Sequence, residues 1–300
     1  MANLTIIILT KNEEQNLEKC IASFKSVAQR IVIIDSYSTD KTVELAKSLG
    51  AEVYEHPFEN HAVQFNWALD NIDLNTEWVM KVDADEEFTS ELADEIDEKL
   101  DTLSAKVNGV ILRRRVYFMG RWLKHGGKYP ELLLRIFRVG HGMSEMKLMD
   151  EHLIVTDGDV VTFKNDFSDN NKSLEWWINK HNWYSNKEVL DQQMKSDDAN
   201  GEESVEETST SMQAKVKRFV KNHGYYSLPK FFRAHLYFIY RYYFRFGFLD
   251  GTEGKIYTFL QAYWYRYLVD AKLYECEKLG VKMEKQGALE ATSSRINGGG

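Results

Sequence analysis

The chain has 300 residues, of which 43% are apolar and 28% are charged, a mixture typical of one large or two ordinary globular domains. The formal net charge of −8 argues against a chain-wide attraction to nucleic acid. The only cysteines, Cys20 and Cys276, exclude a disulfide framework. The first apolar run is too short for a secretory signal or a membrane span, so the sequence predicts a cytoplasmic protein.

From residue 4 to about 115, short β-branched runs alternate with helix-length amphipathic stretches, which predicts βαβ units and a largely parallel sheet. The predicted strands are LTIIIL, RIVII, AEVYEH, EWVMKVDADEEF and NGVILRRRVYFMG. Helices are predicted around EEQNLEKCIASFKSV, DKTVELAKSL, AVQFNWALDNI and TSELADEIDEKLDTL. The alternation fails beyond residue 120, where mixed strands and loops precede a helix in SLEWWINKHNWYSNKEVL.

Polar side chains follow three of these strands. They are Thr10, Asn12, Glu13 and Glu14 after the first strand, Asp35, Ser36, Ser38 and Asp40 after the second, and Asp83, Asp85 and Glu86 after the fourth. Ligands of open parallel sheets bind at the carboxyl ends of the strands, so we expect these groups to share one cleft. Each segment alone is also explained as a helix cap or a turn. Together they predict a site for Mg²⁺ or Mn²⁺ carrying a diphosphate.

Three segments carry a family resemblance: TIIILTKNEEQNLEKCIASF, IVIIDSYSTDKTVELAKSLGAEV and WVMKVDADEEF. They resemble the opening half of inverting family 2 glycosyltransferases, which have the GT-A fold, a Rossmann-like and mostly parallel central sheet flanked by helices. The resemblance implies a nucleotide-sugar-binding half over residues 1–115 and an acceptor-binding half over 116–190. Further similarity, in KYPELLLRIFR, DEHLIV and YFIYRYYFRFGFLDGTEG, is to bacterial enzymes that extend lipopolysaccharide core, capsule or other lipid-linked glycans.

The resemblance also implies roles for individual residues. The TKNEE segment, Thr10 to Glu14, would bind the base and ribose of a nucleotide diphosphate sugar, most simply a UDP-sugar, together with Asp35, Ser36 and Ser38. Asp83 and Asp85 would form the DxD motif, which binds ribose and the metal-bridged diphosphate. Glu151 is the predicted catalytic base, and Asp150 is the second choice.

Two arginines and two departures complete the implied site. Arg135 and Arg138 could meet phosphate, or could pair with surface acids. Relatives often carry a basic residue where this chain has Val63 or Gln64, so the sequence predicts that a diphosphate contact is missing or supplied elsewhere. A histidine common in relatives corresponds to Asp169, which obscures the acceptor site.

The last third of the chain has unusual charge and aromatic patterning. Residues 191–211 carry seven acids and one base and are predicted to be an acidic linker or mobile loop. Residues 212–282 are predicted to form a helical extension and 283–300 a disordered tail. Within residues 228–248, one helical face of ~120° collects the cations and the remainder is aromatic or apolar. The cations are Lys230, Arg233, Arg241 and Arg245.

Such a helix suits the interface of a bilayer, with arginines meeting lipid phosphate, and predicts a peripheral protein at the inner face of the cytoplasmic membrane. Packing against the catalytic domain, or against a second subunit in a homodimer, is the alternative. Nucleic-acid binding is disfavoured because no RNA-binding motif accompanies the aromatic residues.

Two other functional classes remain open at this point. A dehydrogenase or a nucleotidyltransferase would need a glycine-rich phosphate loop after the first strand, where this chain has TKNEE instead. A catalytically inactive protein that binds nucleotide or membrane is opposed by the intact set of acidic residues. The sequence therefore favours an inverting glycosyltransferase that acts on a lipid-linked glycan acceptor.

Overall fold

The computed structural model of the protein describes residues 1–146, 152–171, 173–197, 225 and 228–283. A central β-sheet is flanked by helices on both faces and is followed by a helical C-terminal region. The predicted α/β architecture with a C-terminal helical extension is confirmed. None of the described helices has both the length and the apolar character needed to cross a bilayer.

The described part of the chain contains eleven strands. They are β1 (Ala2–Thr10), β2 (Ala28–Asp35), β3 (Glu52–Glu55), β4 (Trp78–Asp83), β5 (Glu86–Phe88), β6 (Val107–Phe118), β7 (Arg121–Trp122), β8 (Glu131–Arg138), β9 (Gly142–Ser144), β10 (Leu153–Val155) and β11 (Asp159–Asn170). Nine of them form one sheet, and β9 and β10 form a separate hairpin.

The α-helices within the described residues number eight. They are α1 (Leu17–Phe24), α2 (Thr42–Ser48), α3 (His61–Asn71), α4 (Ser90–Lys99), α5 (Leu174–Asp197), α6 (Phe232–Ile239), α7 (Gly251–Thr258) and α8 (Tyr265–Leu279). Wider helical turns at Tyr240–Phe244 and Phe259–Trp264 continue α6 and α7, and a tight turn at Gly247–Asp250 separates them.

The strand order is β3-β2-β1-β4-β8-β6-β11-β5, with β7 paired to β6. The first four strands are mutually parallel, as predicted, whereas β8 lies antiparallel to both β4 and β6. In register, Thr10 lies beside Asp35, and Leu9 lies beside Asp83. The polar ends of β1, β2 and β4 therefore meet at one edge of the sheet, which we call the acidic rim.

The sheet is buried on both faces, which explains its continuous apolar strands. In β1, Ile6 and Ile8 pack with α1 and α4 on one face, whereas Ile7 packs with α3 on the other. Phe24 of α1 and Phe65 of α3 are completely buried in these two layers. Because both layers press on the same strands, the positions of the strand ends at the acidic rim are fixed.

The C-terminal region packs on the end of β6. Phe118 contacts the rings of Trp177 on α5 and Tyr257 on α7 at centroid distances of 6.3 and 5.2 Å. Further along, α8 packs along α5 through Val269 and Val189. The helical extension is thus anchored to the sheet by aromatic side chains rather than tethered by a linker.

Four of the predicted segments, 116–190, 191–211, 212–282 and 283–300, are described only in part. Helix α5 continues through Asp197, seven residues into the segment 191–211 that was predicted to be an acidic linker. The remainder of that segment, and residues 284–300 of the predicted tail, lie outside the described residues.

The buried ion pair between Arg233 on α6 and Asp270 on α8 is expected to be a major source of stability in the C-terminal region. Both side chains are less than 5% exposed, and Asp270 also accepts a hydrogen bond from the Phe231 N–H at 2.7 Å. In Asp270→Asn, Arg233 loses its counter-charge inside the protein, which should lower the free energy of unfolding by about 3 kcal/mol.

Urea denaturation measures this change. Glu277→Gln serves as the matched control, because its pair with Lys230 is solvent-exposed and should contribute less than about 1 kcal/mol. Equal losses in the two variants would contradict a special role for the buried pair.

Candidate functional site

The loops after β1 and β2 are joined through the carboxylate of Asp35. Its oxygens accept hydrogen bonds from the Thr10 hydroxyl at 2.8 Å, the Ser38 hydroxyl at 2.6 Å and the Ser38 N–H at 2.7 Å. Asp35 is completely buried, so these bonds replace those that water would make. The cluster of hydroxyls and carboxylates after the second strand therefore fixes the two loops to each other.

The same two loops are joined by a second set of hydrogen bonds from the backbone of residues 12–14. The Asn12 N–H donates to the Ser38 hydroxyl at 2.8 Å and the Glu13 N–H to Thr42 Oγ1 at 2.8 Å. The Glu14 N–H donates to Asp40 at 3.2 Å, and the Lys41 N–H donates to Glu14 at 2.9 Å. Asn12 adopts a left-handed conformation, φ 55°, which asparagine tolerates well.

All of the predicted nucleotide-binding residues of the first two strand ends thus lie together, but their side chains differ in availability. Thr10, Asp35 and Ser36 are buried, and the Ser36 hydroxyl accepts a hydrogen bond from Gln64 at 3.0 Å. Asn12, Glu13 and Ser38 keep partial exposure. Contact of these groups with a nucleotide stays a prediction, and the structure favours a positioning role for Asp35.

The third part of the rim is the turn between β4 and β5. The Asp83 N–H donates to Glu86 Oε2 at 3.0 Å, which closes the turn over Ala84 and Asp85. Arg135 on β8 is buried, contacts Glu86 closely and lies 3.6 Å from Asp83 Oδ2. Arg135 is therefore placed to orient the acidic turn, a role different from the phosphate contact predicted for it.

The carboxylates at this turn have opposite electrostatic surroundings. The pKa of Asp83 lies below its usual range despite burial, because Lys81 and Arg135 favour the charged form. Burial, and then the neighbouring carboxylates of Asp169 and Asp83, raise the pKa of Asp85 to about 7. Lys180 lowers the pKa of Asp85, but by less than burial and the two carboxylates raise it, whereas the charged form of Asp83, two residues away, is stabilised.

This imbalance fits a divalent cation. Asp83, Asp85 and the adjacent Asp169 offer carboxylate oxygens, the type of ligand that Mg²⁺ and Mn²⁺ prefer. Among the described residues, no group of three acidic, histidine or cysteine side chains forms a metal site by itself. A cation here would therefore take most of its ligands from water and substrate, as Mg²⁺ commonly does.

Three further charged side chains act on this rim. Arg114 on β6 pairs with Asp169 at 3.2 Å and with Glu131 at 2.8 Å. Lys180 on α5 keeps a raised pKa in spite of burial, partly because of Asp85 and Asp169. Sequence patterns missed Arg114 and Lys180 as site residues because both come from elements far along the chain. Asp169 was noted only as the position where relatives commonly have a histidine.

Helix α3 contributes no cation where relatives often have one. Gln64 is completely buried and bonds to Ser36 and to His56, and its neighbour Val63 is apolar. Lys180, on α5, instead interacts electrostatically with Asp85 and Asp169. The predicted diphosphate contact was expected to be missing from α3 or supplied elsewhere, and Lys180 is the candidate to supply it.

Arg138 lies away from the rim. It pairs with Glu77 and stacks on the ring of Trp78 at 4.2 Å, at the start of β4 and thus at the opposite edge of the sheet. Of the two interpretations of Arg138, the structure supports pairing with a surface acid, Glu77, and not contact with phosphate at this rim. The same edge holds a cavity of about 600 Å³, lined by Asn108, His141 and Asp157 among others and by none of the rim residues.

The predicted catalytic residues Asp150 and Glu151 lie outside the described residues, so their role stays a prediction. The strands β9 and β10 on either side of them are described. Asn66 of α3 bonds to Ser144 through both its amide oxygen and its amide nitrogen, each at 2.8 Å. The hairpin is thereby held on α3, the helix whose first residue, His61, is electrostatically coupled to Asp83.

The cationic face predicted for residues 228–248 is directed largely toward protein. Arg233 is buried against Asp270, Lys230 pairs with Glu277, and Arg241 donates to the carbonyl of Gly126. The expectation that Arg233 meets lipid phosphate is wrong. The segment is also not one regular helix, since α6 begins at Phe232 and the chain turns after Phe244.

Aromatic and apolar side chains of the same segment face outward instead. The exposed set, which we call the aromatic surface, is Tyr240, Tyr243, Phe244, Phe246, Phe248, Leu249 and Phe259, each between 44% and 71% exposed. Exposed apolar groups of this density mark interaction surfaces.

Comparison with known proteins finds similarity to glycosyltransferases. The model of the glycosyl transferase family 2 matches residues 5–146. The lipopolysaccharide core biosynthesis glycosyltransferase LpsC of Rhizobium meliloti is 29% identical over 95% of this chain and 97% of that protein. An uncharacterized glycosyltransferase of Rickettsia bellii is 43% identical, but the match spans only 31% of each chain, about a third of its length.

Solved structures give partial likenesses. S. aureus TarS aligns over 63% of this chain and 40% of that chain, with 17% identity and a TM-score of 0.36. Glucosyl-3-phosphoglycerate synthase of Mycobacterium tuberculosis, solved with Mn²⁺ and uridine diphosphate, aligns over 38% of this chain and 44% of that chain, with 20% identity and a TM-score of 0.31.

The positioning role of Arg135 can be tested by a double-mutant cycle with Glu86. Arg135→Met leaves the Glu86 carboxylate buried without its partner and should lower the free energy of unfolding by about 3 kcal/mol. Adding Glu86→Gln should restore part of that loss, which gives a coupling of about 1–3 kcal/mol in urea denaturation. The exposed pair Arg30–Glu52 is the control, and additive losses at Arg135 and Glu86 would contradict the pairing.

Proposed function

Because residues 5–146 match the model of glycosyl transferase family 2, we propose that the chain is an inverting glycosyltransferase with a nucleotide diphosphate sugar as donor, most simply a UDP-sugar. The acceptor is a lipid-linked glycan of the lipopolysaccharide core or capsule type, a proposal supported by the likeness to LpsC over nearly the whole chain. The observation that carries the donor proposal is the acidic rim, where the acidic ends of β2 and β4 meet on either side of β1 and Asp85 lies near Asp83 and Asp169.

Different residues of the rim would bind different parts of the donor. Asp83 and Asp85, with Asp169 beside them, would hold Mg²⁺ or Mn²⁺. When bound there, the cation would offset the charge of the diphosphate as it leaves. The interlocked loops of β1 and β2 present Asn12, Glu13 and Ser38 to the base and ribose. Lys180 replaces the missing cation of α3 and stabilises the same leaving group from the side of α5.

Inverting transfer needs one displacement at the anomeric carbon. The acceptor oxygen bonds to that carbon while the bond to the diphosphate oxygen breaks, and the acceptor proton passes to a carboxylate of the enzyme. We assign that carboxylate to Glu151, with Asp150 as the second choice. Support for the assignment is limited to the family resemblance and to the position of the flanking hairpin on α3.

The proposal includes a contact with the membrane, which is made by the aromatic surface and not by the cationic face. Aromatic rings favour the headgroup region of a bilayer, where their apolar bodies are buried and the tyrosine hydroxyls stay hydrated. Arg245, which is exposed within the same segment, adds attraction to anionic lipid. An acceptor confined to the inner face of the cytoplasmic membrane would then reach the enzyme at a raised effective concentration.

Asp85→Asn tests the metal-dependent donor site. The change removes one charge from the proposed cation ligands and should lower Mn²⁺-dependent release of uridine diphosphate from a UDP-sugar by about 100-fold or more. Screening a panel of nucleotide sugars with the wild-type protein identifies the donor for this assay. Lys180→Gln should give a smaller loss in the same assay.

Asp94→Asn is the matched control for this change, because Asp94 is an exposed residue of α4. The activity of the Asp94→Asn variant should equal that of the wild-type protein. Calorimetric titration with Mn²⁺ and uridine diphosphate gives a second measurement. Full activity in Asp85→Asn, or no heat of binding in the wild-type protein, would contradict the proposed donor site.

The double variant Phe244→Ser/Phe246→Ser tests the membrane contact. Loss of two exposed rings, 71% and 55% accessible, should weaken sedimentation with phosphatidylglycerol vesicles by at least about tenfold, from the apolar area removed. Met119→Ser is the control, because Met119 is 48% exposed but lies outside the aromatic surface. If sedimentation is unchanged, and if the wild-type protein forms a dimer that the double variant does not form, the aromatic surface would be assigned to contact with a second subunit instead.

A further inference from the structure

A glycine pair brings a basic loop against the C-terminal region. Gly126 and Gly127 adopt left-handed conformations, with φ of 64° and 70°, which side chains disfavour. The Gly126 N–H donates to the Arg245 carbonyl at 2.8 Å, and the Gly126 carbonyl accepts from Arg241. A Cβ on Gly127 would lie 3.6 Å from the guanidinium of Arg245. The loop therefore places the next residue, Lys128, near Arg241 and Arg245.

These three cations lie among aromatic rings and hydroxyl groups, and in spite of burial the pKa of Lys128 is raised by Tyr257 and then by Glu131. Lys128 Nζ lies 5.1 Å from the centroid of the Tyr257 ring, and Arg241 donates to the hydroxyl of Tyr237 at 2.8 Å. Within the described ranges, no carboxylate forms an ion pair with Lys128, Arg241 or Arg245. The neighbouring Arg266, in contrast, is paired with Glu188 at 2.7 Å.

The pKa of Tyr237 reflects the positive charge that surrounds its phenol. Burial alone would raise the pKa of its phenol, but Arg241, Arg266 and Lys128 lower that pKa to about 8. The cations that face this phenol come from three elements: Lys128 from its loop, Arg241 from the turn after α6 and Arg266 from helix α8. A cluster of like charges that is open to solvent is stabilised by an anion.

The cluster also lies between two parts of the proposed enzyme. Lys128 and Lys180 both act on His181, whose pKa burial and these lysines hold at about 4, so the cluster adjoins the cation of the donor rim. On the other side, Arg241 and Arg245 belong to the segment that carries the aromatic surface. An acceptor that extends from the membrane to the donor would pass over these cations.

We propose that Lys128, Arg241 and Arg245 form an anion subsite that binds a phosphate group of the acceptor. The proposal rests on the proposed function for its placement, but phosphate binding itself can be measured without donor or transfer. The phosphate could belong to the glycan of the acceptor or to the headgroup of a lipid, and both present the same tetrahedral oxyanion to lysine and arginine donors.

The first experiment titrates the full chain with inorganic phosphate by calorimetry. Lys128→Gln should raise the dissociation constant about tenfold or more, the loss expected when one charge-assisted hydrogen bond is removed. Lys128→Arg should retain binding. Lys47→Gln, an exposed lysine of α2, is the charge-matched control and should bind as the wild-type protein does.

The tyrosinate absorbance of Tyr237 gives a readout that a structural role for Lys128 would not produce. Bound phosphate offsets the nearby positive charge, so the titration near pH 8 should move to higher pH when phosphate is added. The shift should be absent in Lys128→Gln, and Tyr237→Phe identifies the signal. Identical phosphate affinities in Lys128→Gln and the wild-type protein, with no shift of this titration, would overturn the subsite.

Vesicle sedimentation distinguishes the two sources of phosphate. If Lys128→Gln weakens binding to phosphatidylglycerol vesicles relative to phosphatidylcholine vesicles, the subsite takes a lipid headgroup. Unchanged sedimentation with lost phosphate binding assigns it to the glycan. Calorimetry with Mn²⁺ and uridine diphosphate should be unaffected in Lys128→Gln, so a failure of the donor site would be recognised separately from a failure of the subsite.

Discussion

The structure depends on gathering several carboxylates at one edge of a sheet without letting their repulsion open the fold. Nearby cations reduce this repulsion: Lys81 and Arg135 stabilise the charge of Asp83, and Arg114 pairs with Asp169. Burial and neighbouring carboxylates nevertheless raise the pKa of Asp85 to about 7, and burial raises the pKa of Glu86 to about 8. Negative charge is thus disfavoured at two positions of the turn, where a bound cation would stabilise it.

Much of the structure of residues 1–115 could be predicted because its signals are local. Strands β1, β2 and β4 are buried on both faces, so they read as continuous apolar runs, and their parallel pairing follows from the helices between them. Polar residues after each run then have to meet at one edge. The mutual hydrogen bonds of Asp35, Thr10 and Ser38 were not evident, because the same residue types also form caps and turns.

The rest of the site depends on contacts between distant parts of the chain. A helical projection places Arg233 and Arg241 on one face, but it does not say whether that face meets solvent, and Asp270, which pairs with Arg233, lies 37 residues away. Lys180 reaches the rim only because the Trp177 cluster fixes α5 against β6. Such packing carries no periodic signature that a single sequence could display.

The shared network of the first two strand-end loops has an evolutionary consequence. Because residues 12–14 and 38–42 supply each other's hydrogen-bond partners, grafting one loop from a relative would leave unmatched donors in the other. The two loops should therefore be inherited as a unit.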